Sequence, residues 1–336
     1  MNHEKIKNIL LEIGRLVCEH VHHALKHQSM EQRTSVHAET EEDTIYSIDR
    51  DVESIIVPEL SKYAESLGGI ILIAEGIGDE DCVVIPEGLE PEKAAVRIIM
   101  DPIDGTRGIM YDKRSAFYLA GASPNNSKNP SLQDIETAVM VELPTSRSML
   151  SDSFWAVRGQ GAHRFTRDLQ TGQCTDCPIS PSKSKTILGG FAQISRFFPP
   201  GKDILAQIEE EMIQTLFSDP PTRRAIIFED QYISTGGQLY EILTGHDRFT
   251  ADIRGILYRR FESENRWIGL TCHPYDVSAH LIGTEAGVII TDAEGQPLDP
   301  PMDTCSPVDW IVYANQSIRD EVETVLHNLL LKHKLL

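Results

Sequence analysis

Positive charge is what this sequence has least of. Against 51 Asp and Glu stand only 31 Lys and Arg, a formal net charge of −20 with a sequence pI near 5.0. A chain so short of cations lacks the footprint that holds a nucleic-acid backbone or an anionic membrane surface, so neither is expected as a partner. Cysteine is also scarce. Six residues (Cys18, Cys82, Cys174, Cys177, Cys272 and Cys305) are scattered through 336, which excludes a disulfide framework. Cys174 and Cys177 have C-x-x-C spacing, but no second pair completes a zinc site, and they read as plain thiols in a loop. Long apolar runs are missing too: none approaches the roughly 20 residues a membrane helix needs. The opening MNHEKIKNILLEIGRLV is polar and helical in pattern, unlike a signal peptide, so a cytoplasmic protein is expected.

What is present is an ordinary globular composition, 40% hydrophobic and 24% charged. The length exceeds one average domain and predicts two packed parts. A tract rich in Ser, Pro and Lys at Cys177–Lys185 marks the boundary, dividing 1–180 from 181–336. Ile6, Ile9, Ile13, Leu16, Val17, Val21 and Leu25 recur at helical steps. His20, His22, His23 and His27 lie on the same stretch; without an accompanying Cys or carboxylate they read as a solvated face. An acidic segment, 39–53, leads into a second helix on Val52, Ile55, Ile56, Leu60, Tyr63 and Leu67, closed by Gly68-Gly69 and open to a kink or split at Pro58. Apolar runs then predict strands at 70–74, 96–100, 116–122, 137–143 and 154–157, the last entering the glycine turn Arg158-Gly159-Gln160-Gly161-Ala162. The second half predicts strands at 186–191, 288–291 and 310–314. Its helices are predicted at 204–217, after Ser234-Thr235-Gly236-Gly237, at 276–286, and from Ser317 to about Lys332. Alternating helices and strands make the class mixed α and β in layers.

The chemically informative run is Met100-Asp101-Pro102-Ile103-Asp104-Gly105-Thr106. It follows a buried strand, so its carboxylates emerge at the strand's C-terminal end, where open α/β sheets place their sites. Pro102 turns the chain outward. Asp101 and Asp104 are spaced to share one divalent ion or bridge two, and hard oxygen ligands select magnesium or manganese over zinc. Gly105 permits close backbone approach, and its N–H with that of Thr106 opens onto a phosphate. The same residues would also serve a simple Asp-Gly turn.

That run resembles the signature of the lithium-sensitive, magnesium-dependent phosphomonoesterases, the inositol monophosphatase and fructose-bisphosphatase superfamily. Ile73-Ala74-Glu75, Ser47-Ile48-Asp49, the glycine turn 158–162 and Pro274-Tyr275-Asp276-Val277-Ser278-Ala279 with Gly283-Thr284-Glu285-Ala286-Gly287 fall in the family's order, over about residues 5–315. The resemblance implies an α+β fold, a layered αβαβα sandwich whose two mixed halves hold a metal site between them. It further implies that Glu75, Asp101 and the Ile103 carbonyl hold a first Mg2+ and that Asp101, Asp104 and Asp276 hold a second. A third ion near Glu75 is within the family's range. Thr106, paired with Asp49, would orient and help deprotonate a water. Asp276 would equally suit a helix N-cap.

The chain departs from the family's commonest pattern in several places. Gly76 follows Glu75, with Asp79-Glu80 only later. After Asp-Gly-Thr comes Arg107-Gly108-Ile109, similar to the bisphosphate nucleotidases of the superfamily. The stretch 267–273 has no acid where inositol phosphatases carry one. Arg254, Arg259 and Arg260, in a longer segment from 248 to 273, and Arg223-Arg224 offer fork-shaped donors for a second phosphate or simply an exposed basic face. The expectation is a Mg2+-dependent hydrolase of a small inositol- or sugar-phosphate. The alternatives are a 3′-phosphoadenosine-5′-phosphate nucleotidase, a fructose-1,6-bisphosphatase, or a metabolite-binding regulator. A homodimer is implied by the resemblance.

Overall fold

The structure, a computed structural model, describes residues 1–39, 44–78, 81–218 and 223–336, with only the backbone considered within 36–51. Helix α1 (His3–His27) and the short α2 (Met30–Arg33) precede a two-stranded ribbon of β1 (Val36–Glu39) and β2 (Thr44–Tyr46) and helix α3 (Ser47–Leu67). An eight-stranded sheet follows, from β3 (Ile70–Ala74), β4 (Cys82–Ile85), β5 (Val96–Asp104), β6 (Ala116–Pro124), β7 (Thr137–Leu143), β8 (Leu150–Val157), β9 (Ala162–Asp168) and β10 (Cys174–Cys177), with helix α4 (Thr106–Met110) after β5. Its order is β10-β9-β8-β7-β6-β5-β3-β4, and only β3 and β5 run parallel. The second sheet is ordered β11 (Phe191–Ile194), β12 (Asp247–Asp252), β14 (Trp310–Tyr313), β13 (Ile289–Thr291). Around it lie α5 (Lys202–Leu216), α6 (Thr235–Leu243), α7 (Arg254–Ser263), α8 (His280–Glu285) and α9 (Gln316–Lys332).

Alternation along the strands sorts the side chains into layers. Val96, Ile98, Met100, Tyr118 and Ala120 pack with Leu10, Ile13, Val17 and Val21 of α1 and with Val52, Ile56 and Leu60 of α3. Ile99, Phe117 and Leu119, on the opposite face, meet Leu239 and Ile242 of α6, Leu281 and Ile282 of α8, and Trp310 and Val312 of the small sheet. Ile311 and Tyr313 point the other way, onto Leu205 and Ile208 of α5, Leu257 of α7 and Val322 and Leu326 of α9. The result is helix, sheet, helix, sheet, helix: an α+β, αβαβα sandwich. Among the described residues no helix is long and apolar enough to cross a membrane.

Several local expectations are corrected. Helix α3 passes through Pro58 as one assigned helix. The strand placed at 186–191 begins only at Phe191, because the chain turns at Gly189, whose φ is +71°. The helix placed at 276–286 is a 3-10 turn, Tyr275–Val277, followed by α8. Cys174 and Cys177 lie on edge strand β10 and not in a loop; both are free thiols. His22 is buried, so the α1 histidines are not one solvated face.

The two distant glycine motifs meet. The Glu285 carboxylate, at the end of α8, accepts the backbone N–H of Gly159 at 2.7 Å and of Gly161 at 2.8 Å. This clasp ties the β8–β9 turn to α8, a structural contact with no chemistry in it.

Candidate active site

Strand β5 is buried on both faces beyond Arg97, so its end delivers Asp101 and Asp104 into the interior, 3% and 5% exposed. Asp101 pairs with Leu119 and Asp104 with Phe117, so three steps on β5 span two on β6. Pro102, without an N–H for the ladder, sits in that bulge. The Ile103 N–H turns back to Asp101 Oδ1 at 2.9 Å. Gly105 at φ +94° then reverses the chain into α4, where Thr106 Oγ1 donates to the Ile103 carbonyl at 2.8 Å.

Asp104 is held from across the sandwich. Its Oδ2 accepts from Ser234 Oγ and from the Gly236 N–H, both at 2.6 Å, and its Oδ1 from the Thr235 N–H at 3.2 Å. Ser234 also caps α6 by accepting from the Gly237 N–H at 2.8 Å. A carboxylate at the first turn of a helix is favoured by the backbone dipoles. Gly236 is required there, because a Cβ would stand 3.0 Å from Asp104 Oδ2 and 2.8 Å from Leu119. Asp276, on the 3-10 turn, accepts the His273 N–H at 2.6 Å, with His273 Nδ1 at 3.9 Å from the same oxygen.

One oxygen each from Asp101, Asp104 and Asp276 lies within 4.8 Å of the others. Burial pushes all three carboxyls above the usual carboxylate range. For Asp101 the charges of Glu75, Asp104 and Asp276 add to burial, and for Asp276 that of Asp104 does. Asp104 is raised to about 6, with Ser234, Gly236 and Thr235 opposing its burial. Among the described residues no Lys or Arg lies within ion-pair distance of the three. Buried like charges of this kind are costly unless a cation joins them, and an all-oxygen set suits a hard divalent ion, so the residues fit magnesium.

These acids line a cavity of about 120 Å³ together with Glu75, Thr106, Arg107, Phe197, Phe198 and Arg254. Glu75 follows β3 directly and is half-buried there. Gly105 and Ile103 also line it. The remaining candidates lie elsewhere. Asp49 falls on α3, with its side chain outside the described residues, as are Asp79 and Glu80. Arg259 pairs with Asp309 at 2.9 Å, and Arg260 with Glu264 at 2.8 Å and the His333 carbonyl at 2.9 Å. Neither reaches the cavity; both belong to the structural face of α7. Arg223 and Arg224 are exposed, away from it. Sequence reasoning missed Ser234 and Thr235 as partners of Asp104, although an N-cap serine before two glycines was visible. It also missed Asp252, Phe197 and Phe198, which carry no motif.

No known family profile matches the sequence, and no curated protein does. Solved structures match in fold. The extragenic suppressor protein SuhB of Bartonella henselae is 17% identical, with 96% of this chain and 98% of that one covered and a TM-score of 0.64. Fructose-1,6-bisphosphatase of Leishmania major is 13% identical over 94% and 93%, at 0.65. Inositol monophosphatase of Anabaena is 13% identical over 99% and 97%, at 0.60. The chain therefore has the fold of the inositol monophosphatase and fructose-1,6-bisphosphatase superfamily along essentially its whole length.

Proposed function

We propose that this chain is a magnesium-dependent phosphomonoesterase acting on a small phosphorylated metabolite of the inositol- or sugar-phosphate class. The observation that carries the reading is the convergence of Asp101, Asp104 and Asp276 on one point, with no Lys or Arg in ion-pair distance among the described residues, in a fold shared with phosphatases. Glu75, Asp101 and the Ile103 carbonyl would hold one ion, and Asp101, Asp104 and Asp276 another. Divalent ions there would lower the pKa of water and neutralise charge on a leaving oxygen.

The protein's own groups have defined work around that chemistry. Ser234 and the first N–H groups of α6 fix the Asp104 carboxylate so that it need not reorganise. Thr106 lines the cavity and its hydroxyl donates to the Ile103 carbonyl; turned to Asp49 instead, its oxygen would accept a proton from the attacking water. The N–H groups of Gly105 and Thr106 would hold the phosphate being cleaved. A net charge of −20 does not oppose a small anionic substrate once the local acids are neutralised.

The test is phosphate release from inositol-1-phosphate, fructose-1,6-bisphosphate and 3′-phosphoadenosine-5′-phosphate, with magnesium, with EDTA, and with magnesium plus lithium. Magnesium-dependent release from any of them supports the reading. Binding without release from all three would favour a metabolite-binding regulator.

A further inference from the structure

The segment that brings Ser234 to Asp104 has no regular structure of its own: residues 229–234 run outside the strands and helices. It is held from two sides. On one, past the end of β11, Gln231 Oε1 accepts the Arg196 N–H at 2.8 Å, its Nε2 donates to the Ile194 carbonyl at 3.0 Å, and Arg196 pairs with Glu229. On the other stands Arg114, from the loop between α4 and β6. Its Nη1 donates to both oxygens of Asp230, at 2.8 and 2.7 Å, and its Nη2 lies 3.6 Å from Glu241 of α6. Its Cζ is 3.8 Å from the centre of the Tyr232 ring. That ring presses on the first turn of α6, where a Cβ at Gly237 would come within 2.6 Å of it, and its hydroxyl donates to the Ser115 carbonyl at 2.8 Å.

Arg114 is also tied to the Thr106 side of the cavity. Its N–H donates to the Gly108 carbonyl at 3.3 Å, within the helix that Thr106 opens. One residue thus joins α4 to the approach and the body of α6. The junction matters because every hydrogen bond to the Asp104 carboxylate among the described residues comes from the start of α6, from Ser234, Thr235 and Gly236. A shift of α6 away from β5 would release the orientation of that carboxylate, and ligand orientation is what such outer partners supply to a metal site. The clamp is partly exposed, Arg114 by 33% and Asp230 by 50% of their side chains, so it adds little to global stability. Its effect is on position.

We propose that Arg114 is a positioning residue for the metal site: by clamping Asp230, Glu241 and the Tyr232 ring it keeps Ser234 on Asp104, and so sets the affinity for magnesium without touching metal or substrate. This rests on the phosphomonoesterase reading and adds to it a determinant remote from the reacting atoms.

The experiment titrates magnesium into the full-length native protein and into Arg114→Ala, Arg114→Lys, Asp230→Asn, Ser234→Ala and Arg114→Ala/Ser234→Ala. Bound metal is read by calorimetry, beside phosphate release. Arg114→Ala should weaken magnesium binding about three- to tenfold, and Ser234→Ala about tenfold or more. The double variant should match Ser234→Ala alone, because both act through one contact. At saturating magnesium the maximal rate of Arg114→Ala should return to within about twofold of native, and its metal-free melting temperature should fall by no more than about 4 °C. Arg114→Lys, which keeps the charge but not the planar fork, should recover part of the affinity. Asp230→Asn opens the clamp from its exposed end and should weaken binding in the same direction, which decides the matter if Arg114→Ala does not fold. Unchanged magnesium affinity in Arg114→Ala, or in Asp230→Asn where only that variant folds, would overturn the proposal. Losses that add in the double variant would overturn it too, and either result leaves the phosphatase reading intact. If magnesium binds but no ester is hydrolysed, that reading fails, and the calorimetric comparison still decides for or against Arg114. A native protein that binds no magnesium would overturn both.

Discussion

Two sets of buried acids in this molecule are treated in opposite ways. Asp152 accepts from Arg164 at 2.6 Å, from Thr166 at 2.5 Å and from Tyr240 at 2.9 Å, binding β8 and β9 to α6. Glu209 is likewise joined to Arg196 and the Ile194 N–H. Asp101 and Asp104 are as deeply buried and Asp276 is half-buried beside them, yet the three face one another with no Lys or Arg within ion-pair distance among the described residues. Paired acids serve the fold. Clustered unpaired acids work against it, and burial with mutual repulsion raises their affinity for protons and for cations alike. The contrast sets salt-bridged acids apart from clustered ones without reference to any relative.

The largest effect that would break this contrast comes from Asp101→Asn. It should cut metal-dependent phosphate release at least about a hundredfold, the scale of losing even an outer partner of a metal site. The same variant should leave the metal-free melting temperature unchanged or raised, since one repelling charge is gone. Asp152→Ala should do the reverse: a loss of about 3 kcal/mol of stability in denaturant titration, because Arg164 is stranded, with turnover per folded molecule preserved. Next is Asp247, buried at the start of β12 and raised to about 7 by its burial and by Glu241 and Asp230. Its folded pKa lies above the unfolded value near 3.9, so its penalty is absent below pH 4 and complete above pH 7. Asp247→Asn should therefore stabilise the protein at pH 8 and not at pH 4, seen as a pH-dependent gap in melting temperature. The smallest effect belongs to Glu285→Ala, about 1–3 kcal/mol from the two N–H groups left open at the β8–β9 turn, with activity retained.

The same contrast explains what could be read from the chain. Strand 70–74 is apolar throughout and 137–143 is apolar but for Thr137 and Glu142, and both stand where expected, because burial on two faces leaves one interpretation. Strands β9 and β10 are half-exposed and mixed in composition, and β12 begins and ends on Asp, so none of the three carries a periodic signal. Asp101, Asp104 and Asp276 were legible because their chemistry sits in short local motifs. The Ser234 contact to Asp104, 130 residues away in sequence, and the Asp252–Arg254 pair beside Phe197 depend on how the layers meet. Spacing along the chain carries no trace of that. Arg259 and Arg260 looked equivalent to Arg254 in sequence. About one and a half turns of helix separate a residue lining the cavity from two that pair with Asp309 and Glu264.

The most direct measurement is a magnesium titration of the melting temperature at neutral pH, run on the native protein and on Asp101→Asn and Asp276→Asn. The account predicts a saturable rise in the native protein that follows phosphate release and is lost in both variants. A melting temperature indifferent to magnesium, with phosphate release that survives EDTA, would contradict it.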